Sequence, residues 1–295
     1  MQNRQQHQQE VQAFLQQHFS NQTWELTLPK GTGNETYFAR CNGHVCFVKL
    51  GAQARKYQVV ASIGLTPPVL AAEYLEDGIS IIVQPYISGK RPLQRDYHLL
   101  LEQFASAIHQ IHQNTEVKQV LSKVSYNLYG VAGLDALARL QQKWDRHKSQ
   151  VPAVADFIDE SLDHLRQQLM DFQGTGLVAS HNDICNANWL VSTDGRLYLL
   201  DLESMSLDDP AADIGATLWW YYPPKLRETF LRKTGYINDP TFEKRMQVRM
   251  AMHCLNITLP REKSFDKFDP ASFTESLTDF RAILSRRENP KGYDE

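Results

Sequence analysis

The texture of the chain changes near residue 88, and that change limits the fold more than any single motif. Before it, short runs rich in β-branched and aromatic residues dominate: WELTLPK, TYFARC and HVCFVKL, then ISIIVQPYI, with turn residues between them. One short helical stretch, about ARKYQVVASI, interrupts these runs and ends at Gly64, with Pro67 and Pro68 soon after. Beyond Gly89 the pattern turns helical. LLLEQFASAIHQIHQ places Leu100, Phe104, Ile108 and Ile111 at helical spacing, and segments near 132–146 and 154–172 behave alike. The expectation is an α+β, bilobal protein: a small antiparallel β lobe over residues 1–87 with a leading helix, then a larger, mainly helical lobe over 88–295. The two would join near Gln84–Gly89, with a ligand cleft between them. At 295 residues the chain is long enough for both.

Bulk properties remove several classes of function. A formal net charge of -3 supplies no global basic field, so no nucleic-acid partner is expected. No apolar run approaches the roughly 18 residues of a membrane span. MQNRQQHQQE, polar and Gln-rich, lacks the apolar centre of a signal peptide and reads as a lead-in to the amphipathic VQAFLQQHF. Cys41, Cys46, Cys185 and Cys254 form no C-x-x-C and no metal-ligand spacing with histidine, as expected of reduced thiols in a cytoplasmic protein.

Two segments carry chemistry. In LPKGTGNETYFARCNGHVCFVKL, Gly31 and Gly33 lie between two strand-like runs, where backbone amides without side-chain bulk can approach an anion. Lys49 lies in the following strand, and alternation with Val48 and Leu50 turns it to the opposite face. Taken alone this reads as a plain hairpin turn with a surface lysine, and the G-K-[ST] of a P-loop is absent.

The second segment, LVASHNDICNANWLVSTDGRLYLLDLE, is more restrictive. His181-Asn182-Asp183 opens a polar loop, and Asn188 leads into the strand-like Trp189-Leu190-Val191. Thr193-Asp194-Gly195 reads as a hairpin turn with glycine where a positive φ is needed. The return strand RLYLL delivers Asp201 and then Glu203. A carboxylate placed to accept a proton, beside a carboxamide oxygen and a carboxylate suited to Mg²⁺, is the set that phosphoryl transfer requires.

H-N-D-x-x-x-x-N at His181–Asn188, followed by the strand-borne D-x-E of Asp201–Glu203, resembles the small-molecule kinases of the protein-kinase-like fold: choline/ethanolamine kinases, thiamine kinase and aminoglycoside phosphotransferases. The resemblance runs from about residue 24 to about 235. It includes G-T-G-N-E-T-Y at 31–37, Val48-Lys49, Gly64-Leu65-Thr66-Pro67-Pro68, Gln84-Pro85-Tyr86-Ile87, Ile111-His112, and Asp209-Pro210 with Asp213-Ile214. It implies a protein-kinase-like fold with a catalytic β-hairpin, and transfer of the γ-phosphate of ATP to a small acceptor. Asp183 would be the catalytic base, Asn188 and Asp201 ligands of Mg²⁺, and Lys49 the partner of the α/β-phosphates. Gly31, Gly33 and Asn34 would form the phosphate loop, while the backbone from Gln84 to Tyr86 would meet the adenine edge. Asp213 would brace the catalytic loop, in a helix begun by Asp209 as N-cap and Pro210 at N1. Glu203 would reach a second metal position or face solvent.

The chain departs from the pattern in one place. The family pairs its lysine with a glutamate of the first helix, yet GAQARKYQVVASI holds no acidic residue, and Gln53 is the nearest candidate by spacing. That departure keeps open a second reading, a nucleotide-binding pseudokinase acting as a sensor or partner module. A protein kinase is disfavoured, since D-F-G and A-P-E are absent and only about eight residues separate Asp201 from the next helix. Two features bear on the acceptor. Trp219-Trp220-Tyr221-Tyr222 cover more than one helical face, and rings near the acceptor would suit a cation such as choline, ethanolamine or thiamine; core packing of Leu218 with two of the four is the other reading. Asp266, Asp269, Glu275 and Asp279 could instead supply the acidic pocket an aminoglycoside wants.

Overall fold

A computed structural model of the chain describes residues 2–29, 36–260 and 268–293. Helix α1 (Gln2–His18) precedes strands β1 (Glu25–Thr27), β2 (Thr36–Cys41) and β3 (His44–Leu50). Helix α2 (Ala54–Ser62), β4 (Ala71–Tyr74), β5 (Ser80–Pro85) and β6 (Gly89–Lys90) follow. A helical run comes next: α3 (Gln94–Leu99), α4 (Leu101–Gln113), α5 (Thr115–Val120), α6 (Tyr129–Asp145) and α7 (Pro152–Met170). Short strands β7 (Val178–Ser180), β8 (Trp189–Ser192), β9 (Leu197–Leu199) and β10 (Ser206–Asp208) then lead into α8 (Ala211–Tyr221), α9 (Pro224–Thr234), α10 (Phe242–Thr258), α11 (Pro270–Ser276) and α12 (Thr278–Leu284).

Where the sequence suggests one break after residue 87, the packing divides the chain into two compact units. One takes residues 1–91 together with 189–203; the other takes 92–188 and 204–295. In the first unit a five-stranded antiparallel sheet runs in the order β1-β2-β3-β5-β4. Asn42 and Gly43, both at positive φ (47° and 80°), form the two-residue turn between β2 and β3, the geometry that matches strand twist. One face of α1 buries Val11, Phe14 and Leu15 against Trp24, Tyr37, Val48 and Ile81 of this unit. The amphipathic reading of VQAFLQQHF holds because those three residues fall on one helical face. Helix α2 buries Tyr57, Val59 and Val60 and stops before Gly64 (φ 77°). The sequence reading lacks β4, an edge strand of AAEY with no buried residue, in which only Tyr74 is a strong strand former. The returning hairpin β8–β9 turns at Gly195 (φ 81°) and pairs with β6 through Gly89↔Ser192 and Lys90↔Val191.

The second unit is a helical core in which α6, α7, α8, α10 and α12 bury Leu137, Trp144, Leu162, Trp219, Leu255 and Phe280. The two-stranded sheet β7–β10 lies in this unit, with Ser180 opposite Ser206. No described helix is long and apolar enough to cross a membrane. The four cysteines are free thiols, three of them buried.

Candidate active site

In the first unit the site is built around Lys49. Its neighbours Val48 and Leu50 belong to the apolar cluster, so strand alternation sends Lys49 to the other face, where it is still only 8% exposed. A buried ammonium requires counter-charge, and two carboxylates supply it, Asp201 Oδ1 at 2.9 Å and Glu203 Oε1 at 2.5 Å, while Tyr57 Oη accepts a third bond at 2.8 Å. Burial opposes the charge, yet Tyr57, Glu203 and Asp201 outweigh it and raise the lysine pKa. Burial also lifts the carboxyl of Glu203 and the phenol of Tyr57. Tyr57 Oη lies 3.0 Å from both Glu203 carboxylate oxygens and accepts from Leu202 N at 3.2 Å. Lys56, one residue earlier and also buried, donates to Leu202 O (2.9 Å) and Glu203 O (3.4 Å). Asp201 adopts φ 57°, a left-handed conformation that aspartate tolerates better than most residues.

Glu203 faces Lys49 and Tyr57. The side chain of α2 that reaches Lys49 is Tyr57, whereas Gln53 is exposed at the helix N-cap. Gly31, Gly33 and Asn34 lie outside the described residues. Gln84 is buried with its side chain donating to Pro67 O at 2.6 Å. Tyr86 is exposed, packs edge-on against Phe38 at 6.0 Å, and spends its amide on Val45 O at 3.1 Å.

The second unit holds its own group of candidate residues, around Asp183. Asp213 of α8 accepts from His181 N (2.7 Å) and Asn182 N (2.8 Å), fixing the backbone just before Asp183. His112 of α4 meets the same carboxylate through Nε2 at 3.2 Å and turns Nδ1 to Tyr236 Oη at 3.0 Å. Burial disfavours the Asp213 charge, but the hydrogen bond and charge of His112, with His181, bring its pKa below the ordinary value. Asn182 sits at φ 61° and bonds Ser206 Oγ at 2.9 Å. The Nδ2 of Asn188 donates to Asp183 O (2.8 Å) and to Asp183 Oδ2 (3.0 Å). The carboxamide nitrogen of Asn188 is thereby engaged on Asp183.

Asp209 accepts from Ala211 N at 2.9 Å, although the helix itself begins one residue later than expected, at Ala211 rather than Pro210. Its other oxygen pairs with the fully buried Arg245 at 3.1 Å. The four aromatics are used for packing. Trp219 and Tyr222 are buried, Tyr221 stacks on Tyr97 at 3.8 Å, and Trp220 lies under Lys291. Tyr221 also accepts from Asn186 N at 2.8 Å, bracing the loop between Asp183 and Asn188. Sequence reasoning misses that role, because an aromatic run carries no sign of which hydroxyl meets a distant amide.

A cavity of about 940 Å³ opens in this unit beside Asn182 and Ile184, with Tyr126, Asp135, Lys143 and His253 among its lining. Trp219–Tyr222 do not line it. Of the carboxylates considered for an acidic pocket, Asp269 caps α11, Asp279 pairs with Lys291 at 2.9 Å, and Asp266 lies outside the described residues.

The model of the phosphotransferase enzyme family, APH, matches residues 11–246. The choline kinase LicA from Streptococcus pneumoniae superposes with a TM-score of 0.63 at 16% identity, covering 95% of this chain and 98% of that one. A choline/ethanolamine kinase family protein from Mesorhizobium loti gives 0.64 at 19%, with 96% of each chain covered. The spectinomycin phosphotransferase APH(9)-Ia, solved with ADP and spectinomycin, gives 0.58 at 15%, covering 92% and 93%. At such identities the likeness carries the fold, which is that of the protein-kinase-like small-molecule kinases.

Proposed function

The chain belongs to the phosphotransferase enzyme family, and from that premise we propose that it transfers the γ-phosphoryl group of ATP, with Mg²⁺, to a hydroxyl of a small molecule. One observation carries the reading: the Asp213 carboxylate grips the two amides before Asp183, while Asn188 bonds the Asp183 carboxylate from the other side. A carboxylate so restrained is oriented as a base. It would take the proton of the acceptor hydroxyl as that oxygen bonds to the γ-phosphorus and the bond to the ADP oxygen breaks. Lys49 would hold the α/β-phosphates, with the loop of Gly31, Gly33 and Asn34 above them, and the backbone from Gln84 to Tyr86 would meet the adenine edge. Pro85 has no amide and that of Tyr86 is engaged, so this segment would read adenine through its carbonyls. The donor set fits a hard cation: the carboxamide oxygen of Asn188 and the carboxylate of Asp201 are the oxygen ligands Mg²⁺ prefers. When bound, the metal neutralises charge on the phosphates.

The acceptor is a small hydroxylated compound, taken up by the cavity beside Asn182 and Ile184. The rings behind the expectation of a cationic acceptor are committed to packing, so the proposal goes no further than a hydroxyl. Choline, ethanolamine, thiamine, amino sugars and aminoglycosides form the first screen. The pseudokinase alternative rests on the helix without a carboxylate, yet Lys49 has its carboxylates from elsewhere. The test is Asp183→Ala. Nucleotide affinity by calorimetry should stay within about two-fold, while phosphoryl transfer falls by about 10²–10⁴-fold. Turnover at the wild-type rate in that variant would refute the assignment.

A further inference from the structure

We propose that Glu203 and Tyr57 together form a positioning pair that holds Lys49 for nucleotide. This rests on the kinase reading above. Helix α2 faces Lys49 but offers no carboxylate: from Lys49 to Gly64 no acidic residue occurs. The counter-charge comes instead from the returning segment 201–203, and the two carboxylates there are not equivalent. The Asp201 side chain is 54% exposed and that of Glu203 28%. Glu203 is also tied in from three directions. Its carboxylate meets Lys49 and Tyr57, and its own carbonyl and that of Leu202 accept from the buried Lys56.

Tyr57 is the hinge of this arrangement. Its oxygen accepts from Lys49 Nζ and from Leu202 N, and its single proton goes to Glu203. Two accepted bonds and one donated bond exhaust a phenol, which fixes the oxygen in place. Tyr57 is 2% exposed, so water does not compete for those bonds. The helix thus contributes a relay in place of a charge, and the charge arrives from the segment after β9. Glu203, held by Tyr57 and by Lys56 through the backbone, keeps the ammonium from drifting.

The experiment compares Glu203→Gln, Tyr57→Phe, and the relocation variant Tyr57→Glu with Glu203→Gln, which returns a carboxylate to the helix position facing Lys49. ADP affinity is measured by calorimetry in EDTA and again with Mg²⁺, alongside KM for ATP and kcat. Each single variant should weaken metal-free ADP binding by about three- to ten-fold, by the same factor with Mg²⁺, and raise KM more than it lowers kcat. The relocation variant should recover affinity to within about three-fold of wild type. Unchanged metal-free affinity with loss of only the Mg²⁺-dependent gain in Glu203→Gln would make Glu203 a metal ligand and overturn the proposal. So would a relocation variant no better than Glu203→Gln. If Glu203→Gln does not fold, Tyr57→Phe, which removes one oxygen and no charge, decides the matter by the same comparison. Wild-type protein that binds no nucleotide would instead sink the kinase reading itself, and this inference with it.

Discussion

Asp213 shows how much a single carboxylate can organise. It accepts two backbone N–H groups and a histidine in a fully buried setting. In Asp213→Asn one oxygen becomes an NH₂ group facing a donor, so a buried amide is left without an acceptor. That costs about 1–3 kcal/mol, with a further loss from the missing charge. We expect stability to fall by about 2–4 kcal/mol in urea titrations at pH 7. The sign with pH follows from the depressed carboxyl pKa. Its stabilisation is fully present above the ordinary aspartate value, about 3.9, and is lost as pH falls through the lower folded-state value. The gap between wild type and Asp213→Asn should therefore narrow only below about pH 4, and a gap constant to pH 3 would deny the carboxylate this role. At this scale the sequence is informative for chemistry and poor for support. The hairpin that follows Asn188 and delivers Asp201 is legible because alternating apolar runs flank a Thr-Asp-Gly turn. Tyr57, Lys56 and Tyr221 are not, because each meets a partner far along the chain and reads locally as an ordinary helix residue.

Helices and strands differ in how openly they declare themselves. Helix α4 is legible from the spacing of its buried Phe104, Ile108 and Ile111, since one stripe meets the core. Strand β4 is not, since an edge strand with no buried residue leaves no period-2 pattern. The packing of α6 on the end of α7 is invisible in sequence, yet two glycines mark it. A Cβ on Gly130 would lie 2.4 Å from Leu169 O and 2.7 Å from Phe172 O, both backbone atoms that cannot turn aside. Helix propensity alone would favour Gly130→Ala by about 1 kcal/mol. The collision costs about 1–3 kcal/mol and also presses on the bond from Gly130 N to Phe172 O, so it should win. We expect a melting temperature several degrees lower for Gly130→Ala. At Gly133 the obstacle is a methyl of Leu169, at 2.3 Å, which can rotate away, so Gly133→Ala should cost less. The reverse order by calorimetry would refute this account of the packing.

At the scale of the whole molecule, the informative fact is that the chain leaves the first unit at Arg91 and returns to it at Trp189. The change of texture near residue 88 marks the departure. The return is not legible, because Gly89 and Lys90 carry no strand signal and their pairing with Ser192 and Val191 is non-local. Yet the return completes the unit's charge balance. Segment 189–203 brings the carboxylates of Asp201 and Glu203 to Lys49, and the carbonyls of Leu202 and Glu203 to Lys56. Without it, the buried Lys49 ammonium would lack its carboxylates, and breaking a buried ion pair costs about 3–5 kcal/mol. Lys56 would lose its carbonyl acceptors, and hydrogen bonds to charged groups are worth about 1.5–3 kcal/mol. Since domains are stable by only about 5–15 kcal/mol, two such losses consume most of the margin. A fragment ending at Arg91 should therefore show neither a cooperative melt nor dispersed amide resonances. A fusion carrying 189–203 after residue 91 through a flexible Gly/Ser linker should regain both. Cooperative folding of the 1–91 fragment alone would show that α1 and the five-stranded sheet suffice, and that the carboxylates after β9 serve the site without sustaining the fold.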